Sequence, residues 1–211
     1  MTAITNYGSL ISEAGAMYGN GRTDLTSRWA GFVQRAENEI NRILRTDEQT
    51  AVTTLTAASG VLTCPSDWKR IRSIRQTVSK KYAIEITDIE VIERYLSDIT
   101  QTGDPYLAAE VGGTIYLAPA PEDGVTFRVF YHRGVTALDS ADDADTNWLL
   151  TSDPDVYLFA VLKQAAIYDH DDGALQNYSS MFANSIGQLI KQNHMDKHGE
   201  RLVMMPNGGV A

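Results

Sequence analysis

From Leu25 onward, apolar side chains return every three or four positions, at Trp29, Phe32, Val33, Ala36, Ile40, Ile43 and Leu44, with Arg28, Arg35, Glu39 and Arg42 between them. Steps of three and four put one apolar stripe on one side of an α-helix and the charges on the other. The pattern predicts a long amphipathic helix with Asp24 as its N-cap and an end near Thr46-Asp47. A shorter helix is predicted before it, from Tyr7 to Tyr18, ended by Gly19-Asn20-Gly21.

The period changes at Thr50. Val52, Thr54 and Leu55 lead to Ser59-Gly60 and then to Val61-Leu62-Thr63, which reads as a hairpin. Ile71 and Ile74 fall among basic residues between Trp68 and Val78, and Tyr82, Ile84 and Ile86 alternate with Ala83 and Glu85. Ile89, Ile92, Leu96 and Ile99 return to helical spacing. Tyr106 to Val111, the Gly112-Gly113 turn and Thr114 to Leu117 form a second hairpin. Val125 to Tyr131 is a further strand, with Pro119 and Pro121 before it and Gly134 after it. The middle of the chain is therefore expected to be antiparallel β with one inserted helix.

After a polar loop from Thr136 to Thr146 comes the clearest helix start in the chain. Ser152 or Asp153 suits the N-cap, Pro154 the first helical position, and Asp155 the positive end of the helix dipole. Val156 to Tyr168 is then apolar on almost every side, interrupted by Lys163 and Gln164. A helix apolar all round is buried all round, under other helices or neighbouring subunits. Asp169-His170-Asp171-Asp172-Gly173 breaks it and caps a last helix from about Ala174 to Asn193, with Leu175, Tyr178, Phe182, Ile186, Leu189 and Ile190 inward. The remainder, with Leu202, Val203, Met204, Met205 and Pro206, lacks a core of its own and is expected to fray or lie on a partner.

The fold class is thus α+β, a helical bundle with an antiparallel β insertion and an extended C-terminal arm. Residues 1–48 and 136–194 supply the bundle, 49–135 the insertion and 195–211 the arm, within one structural domain. At 211 residues and 23.2 kDa the chain supports one substantial core. No window approaches 18 consecutive apolar residues, which argues against a membrane span, and Met1 to Asn6 lacks the basic and apolar regions of a signal peptide. Cys64 is alone, so no disulfide framework is expected.

Charge changes the picture more. The net charge is −9, and nine aspartates against one lysine fall between Asp139 and Asp172. Between Lys69 and Lys81 stand six basic residues, Lys69, Arg70, Arg72, Arg75, Lys80 and Lys81, and no acid. Each run reads either as a solvated face or as one half of a heterologous interface between copies, where opposite patches meet head to tail. An acidic chain is unsuited to wrapping nucleic acid and better suited to a conduit through which DNA slides.

Catalytic motifs are not found. Phosphate loop, nucleophile elbow, Cys-x-x-Cys and His-Glu-x-x-His patterns are absent. His194 and His198 share a helical face without a third ligand, and His170-Asp171 lacks the further histidines of a metal-dependent phosphohydrolase. Carboxylates such as Glu13, Glu37 and Glu39, and the cluster Asp142, Asp143 and Asp145, show no apolar pocket that would mark a general acid. The expectation is no catalytic residue, no metal and no cofactor.

Two blocks carry a resemblance. One is Trp148-Leu149-Leu150, then Asp153-Pro154-Asp155-Val156-Tyr157-Leu158-Phe159-Ala160, Leu162, Ala165-Ala166 and Asp171-Asp172. The other is Trp29, Phe32-Val33, Ala36-Glu37, Ile40-Asn41-Arg42 and Leu44-Arg45. In order and spacing they resemble the head–tail adaptor (connector) proteins of tailed bacteriophages, over the first and last helical thirds of the chain. The resemblance implies a virion protein of the neck, made in the host cytoplasm and not an enzyme. It would form a homo-oligomeric ring of twelve copies beneath the portal protein, joined to a tail, tail-terminator or nozzle protein, with DNA passing through. It also implies that Leu202, Val203, Met204, Met205 and Pro206 dock on the portal. Arg70, Arg72, Arg75, Lys80 and Lys81 then fall to inter-subunit or tail contacts, and Asp142, Asp143 and Asp145 to the lumen or to that basic patch. Alternatives are a neck-associated cell-wall hydrolase, using Glu13, Glu37 or Glu39, and a cytosolic interaction module.

Overall fold

A computed structural model describes residues 3–19, 22–77, 83–98 and 102–198. Its contacts divide the chain into two compact units, Met1–Thr46 with Ala137–Ala211, and Asp47–Thr136.

The first unit is helical: α1 (Tyr7–Gly19), α2 (Trp29–Ile43), α4 (Trp148–Ser152), α5 (Pro154–Asp169) and α6 (Asp172–His198). As its all-apolar sequence requires, α5 is the core, with Val156, Tyr157, Leu158, Ala160, Val161, Leu162, Gln164, Ala165 and Ala166 buried. Helices α1, α2, α4 and α6 pack on it. The stripe of α2 supplies Trp29, Phe32, Val33, Ala36 and Ile40, all buried, each large apolar side chain contributing roughly 1.5–3 kcal/mol of transfer free energy. Ile43, expected in that stripe, is instead 43 % exposed at the last residue of the helix.

Helix starts depart from expectation where side chains have better partners. Asp24 does not cap α2; Arg22 takes its carboxylate, and the bonds Thr26 N to Thr23 O and Arg28 N to Leu25 O make turns before the helix begins at Trp29. Pro154 opens α5 and Asp153 is its N-cap residue, although the Asp153 side chain makes no capping bond. A separate short helix, α4, precedes it because the Asn147 side chain accepts from Leu150 N. His170 ends α5 in the left-handed region at φ 55°, and Asp171 Oδ1 accepts from Ala174 N in the first turn of α6, the capping role expected of this loop. Helix α6 runs past Asn193 to His198.

The second unit holds two sheets. β1 (Thr50–Thr56), β7 (Thr126–Arg133) and β3 (Trp68–Gln76) form one in the order β1-β7-β3, and both pairings are antiparallel. β2 (Val61–Thr63), β6 (Thr114–Ala118), β5 (Leu107–Val111) and β4 (Glu85–Ile86) form the other in the order β2-β6-β5-β4. Leu62, Ile71, Ile74, Ile84, Ala108, Ile115, Leu117, Phe127 and Val129 fill the core of this unit. The Gly112-Gly113 hairpin forms as expected, with Val111 opposite Thr114.

The first predicted hairpin does not form as a ladder. Its turn is there, with Ser59 and Gly60 at φ 52° and 77° and Ala58 and Val61 exchanging backbone bonds. Its two strands then part, β1 pairing with β7 over seven residues and β2 with β6. The longer ladder, built on the apolar alternation of Phe127, Val129 and Tyr131, outweighs the local one. The β-rich region also holds one parallel rung, β4 with β5, because the chain crosses over through α3 (Ile89–Asp98) between them.

Candidate functional site

The acidic loop between Ala137 and Asn147 is fastened at both ends by one buried carboxylate. Glu37, 6 % exposed on α2, accepts at Oε1 from Leu138 N at 2.8 Å and from the Tyr157 hydroxyl at 3.2 Å. Tyr157 in turn accepts from Asn147 Nδ2 at 2.7 Å. Inside the loop Asp139 N donates to Asp145 Oδ2 at 2.6 Å, and Ala144 N to Asp142 Oδ1 at 2.9 Å. The start of α1 closes over it, with Gly8 N to Asp143 O and Tyr7 N to Asp145 O, both 2.9 Å. Asp139, Asp142 and Asp143 remain exposed on a loop whose backbone is held on three sides.

Gly8 is what lets the loop sit so close. A Cβ there would fall 3.1 Å from Asp143 Cβ and 3.2 Å from its carbonyl oxygen. Gly8→Ala is expected to cost about 1–3 kcal/mol by overpacking and to speed amide exchange across residues 139–145. An unchanged exchange profile would show that the loop does not depend on this contact.

Burial raises the Glu37 pKa above its ordinary 4.5, while the Leu138 amide and the Tyr157 hydroxyl pull it down and the Asp145 charge adds to the rise. A carboxyl raised in the folded state binds its proton more tightly there than in the unfolded chain. Its contribution to stability is therefore larger below about pH 4.5 and declines as pH rises from there through the folded value. Glu37→Gln keeps an acceptor for both donors and removes the titration. The wild type is thus expected to gain stability relative to this variant as pH is lowered from 7 to 4, measured by urea unfolding. A pH-independent difference would count against a raised Glu37.

Glu37 borders a depression of about 270 Å³ whose other lining residues include Tyr7, Gln34 and Ser140 but, among the described residues, no second carboxyl. Glycoside hydrolysis ordinarily needs two. Glu39 is ion-paired with Lys163, and Gln164 Nε2 reaches its other oxygen. Glu39 thus finds its partners within the helical unit. Arg45 likewise donates to the carbonyls of Asn41 and Leu44 at the end of α2.

In the β unit, Arg70, Arg72 and Arg75 are exposed on β3. Arg72 reaches Thr50 Oγ1 at 2.9 Å and Asp47 at 3.3 Å. Two residues the sequence reading did not single out join them from β7. Arg128 stands opposite Arg75, and its guanidinium lies 5.3 Å from the centroid of Phe130. The alternation Phe127, Val129, Tyr131 inward already sends Arg128 and Phe130 outward; what it lacks is the register that brings them to β3. A depression of about 410 Å³ is lined by Thr50, Arg72, Ser73, Arg75 and Phe130. Lys80, Lys81 and the arm residues Leu202, Val203, Met204, Met205 and Pro206 lie outside the described residues.

The remaining candidates have local explanations. Asp169 pairs with Arg22, which holds its carboxyl below the ordinary range. Burial, helped by the Glu110 charge, pushes the Cys64 thiol up to about 11, where little thiolate forms at neutral pH. Among the described residues no three His, Cys, Asp or Glu side chains converge as a metal site would need, and no helix is long and apolar enough to cross a membrane.

A family model described as SU10 adaptor protein matches residues 5–206, a span that contains both helical blocks and the whole β region. No curated protein matches the chain.

Proposed function

Because the chain belongs to the SU10 adaptor protein family, we propose that it is a structural, non-enzymatic head–tail adaptor of a phage virion. Copies close into a ring of twelve between the portal protein and the tail, its terminator or nozzle protein. DNA passes through the ring without sequence-specific binding. The observation that carries this reading is the segregation of charge onto two separately built surfaces. Asp139, Asp142 and Asp143 stand on a fastened loop, and Arg70, Arg75 and Arg128 on a sheet face, and none of the six joins the ion pairs found among the described residues. Heterologous, ring-forming contacts use two such unlike patches on every copy.

The arm supplies the portal contact. Leu202, Val203, Met204 and Met205 are consecutive apolar residues ended by Pro206, and methionine adapts to irregular grooves. The test is binding of the full chain to purified portal rings, compared with a chain cut after His198. The cut is expected to weaken binding on the order of a hundredfold. Equal affinity of the two chains would remove the arm from the portal contact, and no binding by either would overturn the adaptor reading.

A further inference from the structure

We infer that the outer face of the β1-β7-β3 sheet is a receptor for aspartate carboxylates, and that its occupant is the Asp139–Asp143 loop of a second copy of this chain. The inference rests on the adaptor reading for bringing copies together, and goes beyond it in naming the two surfaces that meet.

Arg75 and Arg128 are direct partners across β3 and β7, and like charges directly opposite destabilise a sheet. Arg72 has local partners, yet Arg75 and Arg128 face each other and neither joins the ion pairs found among the described residues. A cross-strand arginine pair carries its cost in the isolated subunit and loses it when an anion bridges the two guanidiniums.

The surroundings suit a carboxylate on a short peptide segment. Phe130 forms an aromatic floor beside Arg128, Thr50 and Ser73 give small polar walls, and Val52, opposite Phe130, is 48 % exposed. Asp47 stands beside Arg72 on this side of the sheet. A continuous phosphodiester strand would meet that acid, on a chain of net charge −9. Two or three aspartates at a loop tip would not need to pass it.

The loop offers what the face lacks. Asp139, Asp142 and Asp143 are exposed, and the Glu37, Gly8 and Tyr7 anchors fix the backbone that presents them. A preordered loop loses little conformational freedom on docking. Because the receptor and the loop are different surfaces, each copy can give one and receive the other, and the contact propagates.

The test is a disulfide ladder in the full chain. Cys64→Ala removes the native thiol, and Ser73→Cys with Ala144→Cys places one thiol on each surface while leaving every charge in place. The chain is oxidised at low ionic strength, alone at high concentration and again with portal rings, and run on a non-reducing gel. Dimers, trimers and higher steps are expected. Arg75→Glu with Arg128→Glu should cut the ladder at least about tenfold, and adding Asp142→Lys with Asp143→Lys should restore it, which separates lost charge from misfolding. Dimers alone, a crosslink confined to monomers, or no product in either sample overturns the inference. Loss of the ladder on adding a short DNA duplex, with the duplex retained by the arginines, overturns it in favour of a phosphodiester occupant. Chains that gather on portal without a ladder refute this contact and leave the adaptor reading standing. A ladder from chains that ignore portal supports the contact and counts against that reading.

Discussion

Tyr157→Ala is expected to destabilise the helical unit by about 3–5 kcal/mol, a large share of the ~5–15 kcal/mol that holds a typical domain. The side chain is fully buried in α5, so truncation removes a ring and leaves a cavity among helices that cannot close on it. The hydroxyl matters separately. It donates to Glu37 and accepts from Asn147, and so joins the two ends of the acidic loop. Tyr157→Phe keeps the ring and removes both the donor to Glu37 and the acceptor of the 2.7 Å bond from Asn147 Nδ2, at about 1–3 kcal/mol. Urea unfolding should rank wild type above Phe above Ala, and amide exchange at residues 138–147 should already be faster in Tyr157→Phe. A cost under about 1 kcal/mol for Ala would mean that α5 is not a close-packed core.

Much of the helical unit was legible because its signals are local. The all-apolar run of α5, Pro154 at its first turn and the three-four stripe of α2 all lie within a few helical turns of chain. Glu37 was legible as a helix carboxylate without the setting of a general acid but not as the anchor of a loop about a hundred positions away, since nothing in spacing pairs it with Leu138 and Tyr157. The same limit explains the lost hairpin. Ser59-Gly60 announced a turn and the turn formed, but the partners of β1 and β2 were chosen by β7 and β6, far along the chain. It explains Arg128 as well: alternation sets which way it points, and only the β3–β7 register sets it against Arg75. The parallel rung of β4 rests on two residues, too few for any periodicity to signal.

Glu110→Ala is expected to cost the β unit about 2–4 kcal/mol, because this one carboxylate ties the two sheets together. Glu110 lies on β5, and its oxygens accept separately from β3: Oε1 from Trp68 Nε1 at 2.6 Å, Oε2 from Ile71 N at 2.8 Å. The bonds are made beside the register shifts in β3, at Trp68/Arg70 and Ile71/Ser73, where the ladder to β7 is interrupted. Trp68 also stacks on Tyr131, centroids 4.6 Å apart, and the Tyr131 hydroxyl reaches Asp67. Loss of Glu110 therefore frees the start of the strand that carries Arg70, Arg72 and Arg75. The isosteric variant sharpens the test. At Glu37 one oxygen serves both donors, so Gln can replace it with little loss; at Glu110 each oxygen has its own donor, and Gln must turn an amide NH₂ toward one of them. Glu110→Gln is thus expected to cost most of what Glu110→Ala costs, and Glu37→Gln much less than Glu37→Ala. Denaturant unfolding followed by Trp68 fluorescence, with Trp29 and Trp148 replaced by Phe, measures the first pair. Equal tolerance of Gln at both positions would mean that Glu110 does not bridge the sheets through both oxygens, and the arginine face would then lack the fixed strand on which its geometry depends.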